Sequence, residues 1–406
     1  MLIANRKSGE KLSLAERWKK EELSAIRNKE KFYCPECNEE VILKLGSKRI
    51  WHFSHQAGSS CESQYERESD YHLSGKLKLF EWLVKQGIDA ELEKFDPLVR
   101  QKPDIAFSWN GKKYALEYQC SVIPEELFIK RTVRYLENGY IPIWIAAGSL
   151  IKRAGAHTFS LSPFLYLFLR RTDGSWTFPA FCPITEQFIH LHSLLPVSSR
   201  RAIATPVVSS LSKSSIRHLI MPTFPSKPFL KQWKAELQRF KARYMKYPSA
   251  YGDPFLRELY EHRLNIHSLP PEIGLPLFSG IYIETPSLIW QAYLYLDVFR
   301  YLKKGESVEY SDIRAAFLKR INRQQIRFRK LPNHQGGNGG DVLDEYLLLL
   351  TELSILRKIN PQRLKMIEER TVQLTVEEQM RQVDRFYQKI EKTFREVYKL
   401  ASERGK

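Results

Sequence analysis

The chain has 406 residues, 43% of them hydrophobic and 27% charged, which suits an ordinary globular protein with two or three cored domains. No apolar run nears the roughly 20 residues that span a bilayer, and the first residues lack the apolar stretch of a signal peptide, so no membrane span is expected and the cytoplasm is the default location. The net charge is +18, and residues 201–406 hold most of it, with 35 basic against 22 acidic side chains, an excess that favours a polyanionic partner such as nucleic acid.

Residues 1–30 read as a short strand and a charged helix, LSLAERWKKEELSAIRNKE. A compact Cys/His unit follows. Cys34-Pro-Glu-Cys37 is a CxxC knuckle, the run WHFSH supplies His52 and His55, and Cys61 comes six residues later. A tetrahedral zinc ion needs two donor pairs brought together by a turn, and the intervening VILKLGSKRIW supplies a hairpin for it. The favoured set is Cys34, Cys37, His52 and His55, with Cys61 replacing one histidine. Such a zinc would be structural, adding folding free energy to a unit too small to hold itself together. The chain has five cysteines, an odd number that argues against a disulfide framework.

Residues 68–86 carry Leu73, Leu77, Phe80 and Leu83 at helical spacing, with Gly87 as a stop. Glu68, His72 and Lys76 share the other face of that helix. Three strands are expected at 88–95, 102–109 and 112–119, the last two joined by Asn110-Gly111, a strong hairpin signal. A two-residue turn there sets Asp104 opposite Glu117, with Gln119 on the same face two residues along. Facing carboxylates repel, and a divalent cation reverses that sign. Magnesium or manganese between Asp104 and Glu117 would suit phosphodiester hydrolysis, with Gln119 orienting the water or the phosphate. Glu91 or Glu93 on the first strand is a further carboxylate, Glu91 being favoured if Ile88, Ala90 and Leu92 form the buried face. A helix over 123–139 follows, on which Arg131 and Tyr135 share a face suited to DNA phosphate. A buried strand over 140–147 completes the order αβββαβ.

Residues 151–227 read as a loop-rich extension and a Ser-rich linker. Beyond them helices are expected at 228–247, 285–303, 309–330, 341–358 and 375–402. The stretch 313–330 contains seven basic residues and no acidic one. Ile313, Phe317 and Ile321 form its apolar stripe, which leaves Lys319, Arg320, Arg323, Arg327 and Arg329 for solvent or for DNA phosphates. Its place between two apolar helical segments suggests a winged-helix-like or small helical DNA-binding module.

Lys102-Pro103-Asp104 and Glu117-Tyr118-Gln119 resemble the PD-(D/E)xK nuclease signature, with Gln119 in place of the lysine. The spaced run CPEC, KRIWHFSH, ESDYHLSGK, KPDIAFSW, LEYQCS, RTVRY and YIPIWI resembles the competence protein CoiA family of Gram-positive bacteria. That resemblance implies an α/β fold: a restriction-endonuclease-like αβββαβ core at 62–150, after a zinc-binding unit at 1–61. The extension at 151–227 and a mostly α-helical, basic region at 228–406 follow. It implies a role in natural transformation, at the recombination stage after single-stranded DNA has entered; branched DNA is a further expected substrate, and recombinase or helicase partners are expected of a scaffold. It also carries Asp104, Glu117 and Gln119 over as the active site, with His72 and Lys76 from the preceding helix. A non-catalytic DNA-binding mediator or scaffold that keeps the nuclease fold is the alternative.

Overall fold

Among the described residues three sheets organise the chain. The computed structural model describes residues 1–59, 61, 69–172, 175–222, 229–246, 252–334, 339–368 and 376–403; Glu68 of the expected helical stripe lies outside them. The first sheet is built from β1 (Ile3–Arg6), β2 (Lys11–Ser13), β3 (Phe32–Tyr33), β4 (Glu40–Lys44) and β5 (His52–His55), with α1 (Lys20–Lys29) between β2 and β3. It is antiparallel in the order β2-β1-β3-β4-β5. Leu12, Leu23, Phe32, Val41, Leu43 and Phe53 fill its small core.

The second sheet begins with the expected order: α2 (Asp70–Val84), β6 (Ala90–Leu92), β7 (Ile105–Trp109), β8 (Lys112–Gln119), α3 (Glu125–Glu137) and β9 (Tyr140–Ala147). Asn110 and Gly111 both have positive φ, 49° and 72°, the requirement of a tight hairpin turn whose twist matches the strands. The register is the one a two-residue turn dictates, running from Trp109↔Lys112 to Ile105↔Leu116. β8 pairs parallel with β9 through the α3 crossover. Both faces of β8 are therefore covered: Tyr118 meets α2 at Gly75, while Glu117 meets α3.

Residues 151–227 depart from the loop-rich extension expected of them. They supply β10 (Lys152–Arg153), β11 (Thr158–Ser160), α4 (Pro163–Tyr166), β12 (Arg170–Thr172), β13 (Ser175–Cys182), β14 (Gln187–Pro196), β15 (Arg201–Ser210) and α5 (Ile216–Ile220). β13 pairs parallel with β9, so these strands extend the second sheet to β10-β11-β15-β14-β13-β9-β8-β7-β6, with β12 beside β13. Serine, threonine and proline gave this stretch the look of a linker. Pro206 is tolerated because β11 pairs only with residues 201–203 of β15, so that farther on the strand has a free edge.

The C-terminal region holds α6 (Leu230–Tyr244), α7 (Pro254–Glu261), α8 (Ser287–Asp297), β16 (Ser307–Glu309), α9 (Tyr310–Asn322), α10 (Gly339–Glu352), β17 (Leu356–Asn360), β18 (Arg363–Met366) and α11 (Val376–Glu403). From α8 to β18 the order is helix, strand, helix, helix, hairpin, and the third sheet is β16-β18-β17. That is the element order of a winged helix, with β17–β18 as the wing. Trp290, Tyr293 and Tyr295 of α8 are buried, as core residues should be.

Two expectations for the basic stretch need correction. The helix ends at Asn322 rather than near 330, and the chain continues extended, Phe328 bridging to Ile283. Arg320 is not a solvent-facing DNA ligand. It is buried and forked onto two carboxylates, Glu258 at 2.5 Å and Asp297 at 2.5 Å, with its guanidinium 4.3 Å from the Tyr293 ring centroid. One turn of drift in the helical face explains the misreading, because position 320 continues the buried row of Ile313 and Phe317. Arg329 is likewise held inside, donating to the carbonyl of Ile281 at 3.0 Å. Lys319 and Arg323 remain exposed, and Arg327 lies 3.4 Å from Glu284.

Candidate active site and metal centre

In the N-terminal unit the donor atoms of Cys34, Cys37, His55 and Cys61 all lie within 4.8 Å of one another. Cys37 Sγ is 3.4 Å from His55 Nε2. Three thiols and an imidazole are the soft donor set of a closed structural zinc site, so the residues fit that ion. His52, one of the four donors favoured from sequence, is not in the cluster. Residues 52 and 55 lie three apart on β5, and alternation along a strand sends them to opposite faces. The His52 ring instead sits 2.8 Å from the Ile50 carbonyl. Burial pushes the Cys37 thiol up to about 12, a penalty that a bound cation would relieve.

The second cluster forms around Asp104, where α2, the end of β6 and the start of β7 meet. Ser69 caps α2 by accepting the His72 N–H, which sets the helix so that His72 and Lys76 point at the strands. His72 Nε2 lies 3.4 Å from Asp104 Oδ2, and Lys76 Nζ lies 3.4 Å from Oδ1. The Tyr118 N–H donates to Asp104 Oδ2 at 2.8 Å. Burial alone would raise the Asp104 carboxyl, but the charges of Lys76 and His72, with hydrogen bonds from His72 and Tyr118, hold it well below the usual carboxylate range. It stays ionised at neutral pH, as a cation ligand must.

The further carboxylate is Glu93, not Glu91. Glu91 is exposed and pairs with Lys94. β6 ends at Leu92, and the positive φ of Glu93, 45°, turns the next side chain inward. Leu92 is buried as the alternation required, yet the turn buries Glu93 beside it. Glu93 forms an ion pair with Lys76, and its other oxygen accepts the N–H groups of Leu2 at 2.8 Å and Ile3 at 3.2 Å. Those two backbone donors come from the N-terminal sheet, and no side-chain pattern could have announced them.

Glu117 lies opposite Asp104 by extension of the strand register, but its side chain engages α3. Arg131 donates to Glu117 Oε1 at 2.6 Å and the Tyr135 hydroxyl at 2.5 Å. Asp104 precedes β7 and escapes its pleat, so its carboxylate reaches the α2 side while that of Glu117 reaches the α3 side. Basic side chains thus already offset the repulsion expected between the two. Arg131, expected to contact DNA, is committed to Glu117 and stacked 5.3 Å from the Trp144 ring centroid. Gln119 is buried, and its amide donates to the Ser121 carbonyl at 3.0 Å.

Three family models match in succession. Residues 15–64 match the N-terminal domain of competence protein CoiA, residues 68–224 its nuclease-like domain and residues 228–380 its C-terminal domain. No solved structure matches the chain. Among curated proteins, competence protein CoiA of Bacillus subtilis (strain 168) is 30% identical over 269 residues, which cover 66% of this chain and 71% of the relative. With the Cys/His cluster, the mixed α/β sheet and the helical C-terminal region in the order those domains require, the chain belongs to the CoiA family of competence proteins.

Proposed function

We propose that this protein is a divalent-metal-dependent DNA nuclease acting in the cytoplasm, in the recombination step of natural transformation, on single-stranded or branched DNA handled with recombinase or helicase partners. The observation that carries the reading is the half-buried Asp104 carboxylate set against Lys76 and His72 within a nuclease-like domain. Asp104, on the α2 side, is the residue that would hold Mg²⁺ or Mn²⁺; Glu117, turned to the α3 side, would share the ion only on leaving Arg131 and Tyr135. Such an ion supplies charge stabilisation at the scissile phosphate and a lowered pKa for the attacking water. Lys76 takes over the positive charge that the Gln119 position lacks: it reaches Asp104 from α2 instead of from β8. Glu93 orients Lys76, and His72 is placed to accept or donate a proton beside Asp104.

A second reading, a DNA-binding recombination mediator without cleavage, is favoured by one observation. Glu117 is buried, and Arg131 and Tyr135 both occupy one of its oxygens. The test is incubation of the purified protein with labelled single-stranded, duplex and branched DNA and Mg²⁺ or Mn²⁺. Cleavage is expected in the wild type and its loss in Asp104→Ala, Glu117→Ala and Lys76→Ala. Cutting that survives Asp104→Ala would overturn the active-site assignment. DNA binding without cutting, unchanged by all three substitutions, would establish the mediator.

A further inference from the structure

We infer that the β17–β18 wing, rather than either helix of the α9–α10 pair, is the surface by which the C-terminal region grips duplex DNA. The inference rests on DNA being the partner, as in the function proposed above. In the usual docking of a helix-turn-helix the second helix of the pair enters the major groove. Here that helix is α10, and its sequence GGDVLDEYLLLLTE carries four acidic residues and no basic one. Asp341, Asp344 and Glu352 are its exposed charges, and facing a phosphate backbone they would repel it. The helix before it, α9, has lost Arg320 to the buried pair with Glu258 and Asp297.

The wing has the opposite character. LRKINPQRLKM, residues 356–366, holds Arg357, Lys358, Arg363 and Lys365 and no acidic residue. Arg363 is tied to Glu309 on β16 at 2.5 Å. Among the described residues no acidic side chain pairs with Arg357, Lys358 or Lys365. Arg357 and Lys365 are direct cross-strand partners. Like charges in that position destabilise a hairpin, and an anion lying across them removes the cost. Leu356, Leu364 and Met366 are buried on the core-facing row, which holds the Arg357–Lys365 pair out on the opposite face, while Lys358, across from Leu364, is exposed toward the tip.

The tip adds a second feature. The register slips between Lys358 and Asn360, and the slip leaves Ile359 at 52% exposure, two residues before Pro361. The turn is closed by the Gln362 N–H donating to Asn360 Oδ1 at 2.9 Å. An apolar tip flanked by cations is the composition of side chains that enter a minor groove between phosphate contacts. The wing is therefore suited to duplex rather than to a bare single strand.

The experiment uses the full chain without added divalent cation, so that binding is read apart from cleavage. Fluorescence anisotropy with a labelled 30-base-pair duplex, titrated at several salt concentrations, compares the wild type with Arg357→Ala/Lys358→Ala/Lys365→Ala. A charge-matched control, Lys20→Ala/Arg27→Ala/Lys29→Ala on α1, removes the same net charge elsewhere. The wing variant is expected to lose at least about tenfold in duplex affinity and to flatten the slope of log K against log salt by about 2–3, since each phosphate contact contributes roughly 0.9. Ile359→Ser should weaken duplex binding while leaving the salt slope unchanged. Circular dichroism and melting confirm that the variants fold. A folded wing variant with unchanged affinity and slope, or a control that loses as much, overturns the proposal. Cleavage assays at Asp104 decide the nuclease reading separately, because a failed wing would leave metal-dependent cutting sensitive to Asp104→Ala.

Discussion

Gly75→Ala sets two physical effects directly against each other. On an exposed helix the change would stabilise by about 1 kcal/mol, alanine being the best helix former and glycine among the worst. On α2 an added Cβ would fall 2.0 Å from Tyr118 Cε1 and 2.6 Å from Cδ1, whereas ordinary contact begins at 3.4 Å. The ring has little room to yield. It is buried, packs edge-on to Phe181, lies against Tyr71, and donates its hydroxyl to the Phe181 carbonyl at 3.1 Å. Overpacking of a tight core costs about 1–3 kcal/mol or somewhat more. Displacing the Tyr118 hydroxyl forfeits about 1 kcal/mol besides. The clash wins, and a net destabilisation of about 1–3 kcal/mol is expected. If α2 shifts instead of the ring, His72 and Lys76 move with it, and on the proposed nuclease reading a misplacement of about 1 Å costs about 100-fold in rate. Urea unfolding followed by tryptophan fluorescence checks the first effect, with Trp82 on α2 as a reporter. The double variant Gly75→Ala/Tyr118→Leu should be less destabilised than the two single changes added together. A Gly75→Ala protein as stable as the wild type would refute the reasoning, since it would mean that α2 does not abut β8 at this point.

Two more outcomes follow from the same structure. Elemental analysis of purified variants should find zinc retained in His52→Ala and lost in Cys61→Ala; the reverse pattern would restore the ligand set favoured from sequence. Arg320→Ala should cost about 3–5 kcal/mol by leaving Glu258 and Asp297 without their buried partner, whereas Lys319→Ala on the exposed face should stay within about 0.5 kcal/mol. Equal unfolding midpoints for the two would remove the distinction drawn between them.

The nuclease core was legible because its signals are local. Asn110-Gly111 specifies a turn, the turn specifies a register, and the glycines at 87 and 139 end the flanking helices. The finer site was not, for three physical reasons. Strand register assigns faces only within the strand, and Asp104 stands one residue outside β7. Periodicity also misled at Glu91 and Glu93, because a single left-handed residue reversed which carboxylate points inward. In a Cys/His unit the spacing of donors identifies a cluster, but strand alternation decides between His52 and His55, and that requires the strand to be known first. The sheet extension at 151–227 was hidden by its serines and prolines, since pairing with β9 rather than composition makes it a sheet.

Glu93 changes how the N-terminal unit relates to the site. Lys76 and Glu93 are each about 1% exposed at the side chain, and burying such a pair costs more in desolvation than the attraction returns unless further hydrogen bonds satisfy the charges. The N–H groups of Leu2 and Ile3 are those further bonds, and they come from the start of β1 and the residue before it, in the sheet that carries the Cys/His cluster. Unfolding of that unit would strip two donors from Glu93 and leave Lys76 shared less evenly between Glu93 and Asp104. A metal-dependent fold of the Cys/His unit would thereby set the position of the lysine beside Asp104.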